Sequence, residues 1–155
     1  MDSQTQIISI KNIPDYKKRL TGYVIKNWPP VKKHFIHILN QCLHSTQDLP
    51  QCFVLLQGKE IIGFYQLIKH ELIKNKTLSP WITCVFVDEK MRGKGLGEKL
   101  TIHGRTIAGS LGYKKVYLTT DHIQYYEKLG FREIGIDIFE GGRPTKIYEH
   151  DTIIK

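Results

Sequence analysis

The chain has 155 residues, 41% of them hydrophobic and 25% charged, with 23 Lys and Arg against 15 Asp and Glu. This length predicts one domain, residues 1–155, and this composition supports a buried core and excludes a disordered chain. The formal charge of +8 favours an anionic ligand or partner. No apolar run approaches about 18 residues, so no membrane-spanning helix is expected.

The cysteines and the N-terminal residues indicate the cellular compartment in which the protein is expected. Cys42, Cys52 and Cys84 are odd in number and form no CxxC pair. A disulfide framework is therefore not expected, and a reducing compartment is the simpler interpretation. The N-terminal residues lack a basic segment followed by an apolar one, so no secretory signal is predicted and a cytoplasmic location is expected.

The first half of the chain predicts a strand, two helices and two further strands. Ile7–Ile10 indicates the first strand. The first helix begins near Pro14 and ends at Pro29, because apolar residues recur every four positions and proline removes a helical donor. One face of the second helix carries Phe35, Ile38, Leu39 and Cys42. Strands are predicted at 52–57 and from 61 to about 73.

The second half predicts alternating strands and helices and a final strand pair. Trp81–Val87 has few polar residues, which is typical of a central strand buried on both faces. Asp121 and Gln124 have the spacing of a capping box that opens a short helix, which Gly130 closes. The other elements are a helix at 97–111 and strands at 116–120, 131–139 and 146–153. The order β-α-α-β-β-β-α-β-α-β-β predicts a mixed α/β sheet.

Three alternate glycines, Gly93, Gly95 and Gly97, stand between the Trp81–Val87 strand and the next helix. Glycine lets the backbone approach a ligand closely and turn several N–H groups toward one point. The following helix adds unsatisfied N-terminal donors and the positive end of its dipole. Three basic side chains would add charge: Arg92, Lys94 and Lys99. Together these features predict a pyrophosphate site.

The glycines also have a purely steric interpretation. Glycine-rich turns occur where a strand passes tightly into a helix, without any ligand. Two familiar phosphate loops do not fit: a Walker A loop needs GxxxxGK followed by Ser or Thr, and a Rossmann turn needs GxGxxG. The chain has neither at this point, since its spacing is GxGxG. A steric turn therefore stays the alternative to an anion site.

Two motifs carry a resemblance to a known family. Arg92-Gly93-Lys94-Gly95-Leu96-Gly97 matches the Q/R-x-x-G-x-G/A signature of the GNAT superfamily of N-acetyltransferases. The preceding Val85-Phe86-Val87 resembles the fourth strand of that family. Tyr125-Tyr126-Glu127-Lys128-Leu129-Gly130-Phe131 is similar to its second landmark, FYxKxGF, after the fifth strand. Since both landmarks occur in order, the chain is identified as a member, most closely matched over about residues 81–131.

The resemblance implies a fold and a co-substrate. The fold is a mixed, mostly antiparallel sheet of about seven strands, splayed between strands 4 and 5 and flanked by about four helices. Acetyl-CoA is the implied co-substrate, without a metal. Its pantetheine arm would pair with the backbone of Val85, Phe86 and Val87. Its pyrophosphate would lie on the loop residues Arg92, Gly93, Lys94, Gly95, Leu96 and Gly97.

The implied activity is acetyl-CoA-dependent N-acetylation, by direct attack of a primary amine on the thioester in a ternary complex. Tyr126 aligns with the tyrosine that protonates the thiolate, and a phenol pKa of about 10 suits that role. The alternative for Tyr126 is aromatic packing with a local hydrogen bond. A backbone N–H near Cys84 or Val85 would donate to the developing oxyanion.

The general base is left open. The candidates are Glu71, Asp121 and His122. A helix N-cap role also explains Asp121, an exposed first-turn position explains His122, and ordered water is a further route for the proton. Many family members carry a CoA-contacting Asn after strand 5, which the segment 118–122 lacks, so that contact is not carried over.

The acceptor pocket of the family is formed by two segments, here 28–31 and 139–144. Their aromatic, proline and charged residues identify no single acceptor. Small-molecule amines, aminoglycosides, polyamines, and protein N-termini or lysines stay open, although the charge of +8 disfavours a polycationic acceptor. The string Leu118-Thr119-Thr120 also resembles a branch that acts on acidic protein N-termini. A homodimer is compatible with the family.

Two other functions and a metal site are alternatives to this assignment. The functions are a non-catalytic CoA- or acyl-CoA-binding regulator on the same fold, and a nucleic-acid-binding module favoured only by charge. No zinc-finger, RNA-recognition or KH string is present, so neither nucleic acid nor membrane is expected as a partner. The metal candidates are His34, His37, Cys42 and His44. A helix spreads such residues around its circumference, so no metal is expected.

Overall fold

The structure, a computed structural model, describes residues 4–122 and 124–154. The strands are β1 Thr5–Ser9, β2 Gln51–Gln57, β3 Glu60–Ile68, β4 Trp81–Val87, β5 Lys115–Thr120, β6 Arg132–Ile138 and β7 Pro144–Asp151. The α-helices are α1 Lys17–Asn27, α2 Lys32–His44, α3 Leu96–Ser110 and α4 Tyr125–Lys128. Short 3-10 turns precede α1 and α2 and follow β4.

The strands follow the order β1-β2-β3-β4-β5-β7-β6 in one seven-stranded sheet. β4 and β5 are parallel and pair where Trp81 lies opposite Tyr117. β1 with β2, β5 with β7, and β6 with β7 are antiparallel. The predicted mixed, mostly antiparallel sheet with four helices is therefore confirmed.

The first compact unit comprises the described residues up to Gln66 together with Cys84–Leu100. α1 and α2 bury one face each against β2 and β3, because their apolar residues recur at helical spacing. The shared core consists of Ile10, Leu20, Val24, Phe35, Leu39, Cys42, Cys52, Val54, Leu56, Ile61 and Phe64. Phe35, Ile38, Leu39 and Cys42 are all buried, as the α2 pattern predicts.

The second compact unit comprises Leu67–Thr83 and the described residues from Thr101 onward. β5, β7 and β6 form its antiparallel part, and α4 lies between β5 and β6 in the chain. Trp81 is fully buried, with its ring 5.4 Å from that of Tyr117. None of the described helices is both long and apolar enough to span a membrane.

Three local predictions are wrong. β3 ends at Ile68, and Ile73 instead forms an isolated bridge with Phe139 after a bend in the chain. β4 is the central strand of the sheet, as predicted, but the prediction that it is buried on both faces is wrong, since only its first two residues are buried. The capping box is absent: Gln124, the residue before α4, has a φ of 65° and its side chain caps nothing.

Candidate functional site

In the second half of β4, the main-chain N–H and C=O groups of successive residues point to opposite edges of the strand. The amide of Asp88 donates to the carbonyl of Ile62 on β3 at 2.7 Å, and the Phe86 carbonyl lies against Gly63 of the same strand. Hydrogen-bonding groups alternate along a strand, so those of Val85 and Val87 face away from β3. Val85 and Val87 therefore have the main-chain direction that an added extended ligand requires, and Phe86 does not.

Cys84 is the point at which β4 changes direction. Its φ of 52° lies in the left-handed region, which non-glycine residues seldom adopt. Such a backbone conformation is a feature of functional sites, where surrounding structure holds it. Cys84 adjoins Val85, and an amide near these two residues is the oxyanion donor that the family resemblance implies.

The loop after β4 needs glycine for its backbone angles. Gly93 and Gly95 have φ of 81° and 77°. A Cβ at either position would meet no atom within 4 Å, so packing does not exclude a side chain there. Crowding by neighbouring atoms therefore does not explain these glycines. Their positive φ values are also what a tight strand-to-helix turn without a ligand requires, so the turn stays an alternative to an anion site, and the open space leaves room for a ligand beside the backbone.

α3 begins directly after this loop. Its first main-chain bond runs from the amide of Lys99 to the carbonyl of Gly95 at 3.1 Å. The amides at Leu96 and Gly97 precede that bond and have no acceptor within the helix. Loop amides, the helix dipole and the nearby cations together form a site that suits a diphosphate.

The three basic side chains predicted here differ in their contacts. Arg92 donates from Nε to the carbonyl of Val87 at 2.9 Å and places its guanidinium 5.4 Å from the Phe86 ring centre. Lys94 is exposed. Lys99 donates to Oγ1 of Thr5 at 2.6 Å, so its ammonium group is held by β1. Arg92 and Lys94 are therefore the basic side chains best suited to an anion.

Tyr126 belongs to the second unit, on the short helix α4. Its side chain is 8% exposed and its ring packs against Tyr125 at 4.9 Å and Phe131 at 5.8 Å. Burial raises its pKa above the ordinary phenol value, because phenolate is poorly solvated there. The next residue, Glu127, accepts a hydrogen bond from the hydroxyl of Tyr148 on β7.

The three candidates for the base have different surroundings. Glu71 is 4% exposed, and its Oε1 accepts from the amide of Leu72 at 2.9 Å. Asp121 forms an exposed ion pair with Arg143. The N-cap interpretation of Asp121 is wrong, because Gln124 occupies the N-cap position of α4. His122 is exposed and its amide donates to Oγ1 of Thr120 at 2.9 Å. Glu71 is the one buried carboxyl among them.

Each unit contains one of the two segments expected at the acceptor. In the first unit, half-buried Trp28 packs on Phe86 with ring centres 5.9 Å apart. In the second unit, Arg143 lies over the ring of Phe139 at 4.7 Å. Lys76 also donates to Glu140 at 2.8 Å in the second unit. One segment is thus aromatic and the other carries charges of both signs.

The histidine and cysteine residues of α2 were considered as metal candidates, although no metal was expected. Across 4–122 and 124–154, no group of three or more His, Cys, Asp or Glu residues is arranged to hold a metal ion. His34, His37, Cys42 and His44 are distributed along α2 between buried and exposed positions.

Three residues that shape the loop and β4 were not predicted from the sequence. Asp88 Oδ1 accepts from the amide of Lys90 at 3.2 Å, and its Oδ2 accepts from the hydroxyl of Tyr23 at 2.9 Å. An Asp directly after a strand is a known turn signal that would have indicated the first of these bonds. Nothing in the local sequence indicates Tyr23, or the close approach of Gly63 to β4.

Comparisons with known proteins bear on the family of this chain. The model of the acetyltransferase (GNAT) domain family matches residues 48–133, more than half of the chain. The mouse (Mus musculus) protein N-alpha-acetyltransferase 80 is 24% identical over 124 residues, covering 77% of this chain and 38% of that protein. The chain thus spans well under half the length of this relative.

Solved structures share the fold. A GNAT-family protein from Desulfovibrio desulfuricans has a TM-score of 0.76 at 12% identity, over 96% of this chain and 99% of that chain. An aminoglycoside 6'-N-acetyltransferase complexed with coenzyme A has a TM-score of 0.71 at 16% identity, over 97% and 98% of the two chains. With its sheet order, its loop and the family match over more than half of its length, the chain belongs to the GNAT family of acetyltransferases.

Proposed function

We propose that this chain is an acetyl-CoA-dependent N-acetyltransferase that acts on a primary amine by direct attack in a ternary complex. The observation that carries the proposal is the loop Arg92–Gly97, where two glycines with positive φ lead into the N-terminus of α3. Main-chain amides there are suited to a diphosphate, and the outward main chain of Val85 and Val87 to an amide-bearing arm. The proposed domain is residues 1–155.

Acetyl-CoA would supply the acyl group as an activated thioester. In this proposal Val85 and Val87 bind its pantetheine arm, and residues 92–97 bind its diphosphate. An amide near Cys84 or Val85 donates to the thioester carbonyl, where negative charge increases during the reaction.

Tyr126 supplies the proton in this proposal. Because burial raises its pKa, its Oη stays protonated throughout the neutral range. A raised pKa also makes the phenol a weaker acid, so this role requires that the leaving thiolate is poorly solvated as well, which raises the pKa of its thiol in the same direction. Glu71, the buried carboxyl among the three candidates, is the first choice for the base.

The acceptor is best sought among α-amines first. The matched mouse protein is an N-alpha-acetyltransferase by name, and the structural relatives include aminoglycoside acetyltransferases. The experiment incubates the chain with acetyl-CoA and separate pools of peptides with free N-termini, lysine-containing peptides with blocked N-termini, and aminoglycosides. Mass spectrometry then detects an increase of one acetyl group.

Acetylation of one pool, abolished when acetyl-CoA is omitted, supports the proposal and identifies the acceptor class. Calorimetric binding of CoA without product in any pool contradicts catalysis and favours a CoA-binding regulator. If calorimetry detects no heat of binding on titration with CoA, both the acetyltransferase and the CoA-binding regulator are contradicted.

A further inference from the structure

Helix α1 makes a side-chain contact with Asp88, which lies between β4 and the loop Arg92–Gly97, called the diphosphate loop below. The hydroxyl of Tyr23 donates to Oδ2 of Asp88 at 2.9 Å, although the two residues are 65 positions apart. Asp88 directly follows β4, so the contact joins a helix without catalytic residues to the start of the glycine loop.

Asp88 is held by its main chain as well as by its carboxylate. Its amide donates to Ile62 at 2.7 Å, and its carbonyl accepts from the amide of Met91 at 2.8 Å. Its Oδ1 accepts from the amide of Lys90 at 3.2 Å, which caps the 3-10 turn Glu89–Met91. The carboxylate is therefore one of the contacts that set the direction of the chain as it enters Arg92 and Gly93.

Tyr23 is itself held in place. Its ring meets Phe64 and Phe86 edge-on, with centres 6.1 Å and 5.9 Å apart. Burial is the largest cause that raises its pKa, followed by the hydrogen bond to Asp88 and the charge of that carboxylate. The phenol therefore stays an O–H donor at neutral pH, and the aromatic contacts limit the positions its oxygen can take.

We propose that Tyr23 is a positioning residue for the diphosphate loop, acting through Asp88. Its hydroxyl holds Oδ2 so that Oδ1 stays directed at the amide of Lys90, which keeps the 3-10 turn formed and the amides of 92–97 oriented. This inference rests on the proposed function, because it assumes that the loop binds the diphosphate of CoA. Tyr23 need not touch CoA for this role.

The experiment compares Tyr23→Phe with the control Tyr16→Phe. The hydroxyl of Tyr16 also donates a hydrogen bond, but to a main-chain acceptor: the carbonyl of Lys59 in the turn between β2 and β3, at 3.2 Å. Each variant loses one hydroxyl and keeps its ring. Calorimetry with CoA gives the dissociation constant, and circular dichroism checks that each variant is folded at the temperature used.

Tyr23→Phe is expected to raise the Kd for CoA about five- to tenfold, and Tyr16→Phe to leave it within about twofold. With an amine that the wild type acetylates, the loss should appear in KM for acetyl-CoA, with kcat within about twofold. In an Asp88→Ala background, Tyr23→Phe should cause no further loss of CoA affinity. The carboxylate through which the Tyr23 hydroxyl acts is already absent there.

An unchanged Kd in Tyr23→Phe, an equal loss in both tyrosine variants, or additivity with Asp88→Ala would overturn the inference. If Tyr23→Phe does not fold, Asp88→Asn decides instead: a raised Kd supports the role of this contact and an unchanged Kd overturns it. Wild-type protein is titrated first, since absence of CoA binding there contradicts the proposed function rather than the role of Tyr23 alone.

Discussion

Gly63 on β3 and Phe86 on β4 approach so closely that a Cβ at Gly63 would lie 2.5 Å from the Phe86 carbonyl oxygen. The same Cβ would lie 3.1 Å from Cδ2 of Leu55, so neither neighbour leaves space for a methyl group. β4 carries the main-chain groups proposed to bind pantetheine. The absence of a side chain at Gly63 therefore sets the position of that strand.

Gly63→Ala is expected to lower the free energy of unfolding by about 1–3 kcal/mol, as overpacking does, and to weaken CoA binding because Phe86 and its neighbours must shift. The control is Gly22→Ala in α1, where a Cβ meets nothing within 4 Å. Alanine there should stabilise the helix by about 0.5–1 kcal/mol without changing CoA affinity. Urea denaturation and calorimetry measure both effects, and a Gly63→Ala variant with wild-type stability would contradict the close approach.

Gly95→Ala tests the loop at its centre. A methyl group at a φ of 77° strains the backbone and occupies the space beside the amides, so the Kd for CoA should rise about tenfold or more. Gly58→Ala is a matched control, because Gly58 has a φ of 60° in the turn between β2 and β3 and open space around it. Both variants should lose similar stability, but only Gly95→Ala should lose CoA affinity. Equal affinities in the two variants would argue against diphosphate binding by the loop.

Tyr126→Phe tests the proton donor. Loss of a general acid should lower kcat by about a hundredfold while the KM for acetyl-CoA changes little. Tyr125→Phe is the control, since Tyr125 is the neighbouring tyrosine and is 42% exposed. Steady-state kinetics, with a pre-steady-state burst measurement to show that chemistry is limiting, provide the readout. A wild-type kcat in Tyr126→Phe under those conditions removes the residue from the acid role.

The partly buried imidazole of His103 on α3 leads us to expect that the free energy of unfolding depends on pH. Burial lowers its pKa from 6.5 to about 4, because the charged imidazolium is poorly solvated. Below pH 6.5 the unfolded chain binds a proton that the folded chain does not, so this residue lowers the free energy of unfolding as pH falls from about 6.5 to about 4. His103→Gln should flatten the loss in that window. The control His37→Gln removes an exposed imidazole of α2 and should follow the wild-type curve; a wild-type slope in His103→Gln would contradict the prediction.

Local patterns predicted most elements because their causes lie within a few residues. The apolar residues recur every four positions in α1 and lie on one face in α2, and a double proline separates the two helices, in agreement with the observed elements. The prediction of a capping box at Asp121 and Gln124 is wrong for a non-local reason. Asp121 is paired with Arg143 of the β6–β7 turn, a partner that spacing within the helix cannot indicate.

Long-range contacts also explain why the strand predicted from 61 to about 73 ends earlier, at Ile68. The chain after Ile68 stops pairing as part of β3, yet Ile73 is fully buried and bridges to Phe139. The amide of Glu140 donates to Leu72 beside that bridge. Ile73 therefore belongs to a second burial site and does not continue the strand that ends at Ile68.

The sequence alone determined the family, the glycine loop and the order of elements, because each depends on residues that are neighbours in the chain. Only the tertiary structure decided that Gly63 must stay small beside Phe86, that Val85 and Val87 face away from β3, and that Tyr23 holds Asp88. These relationships join residues more than 20 positions apart. Their energies depend on distances that exist only once the chain has folded, so no local pattern of residues encodes them.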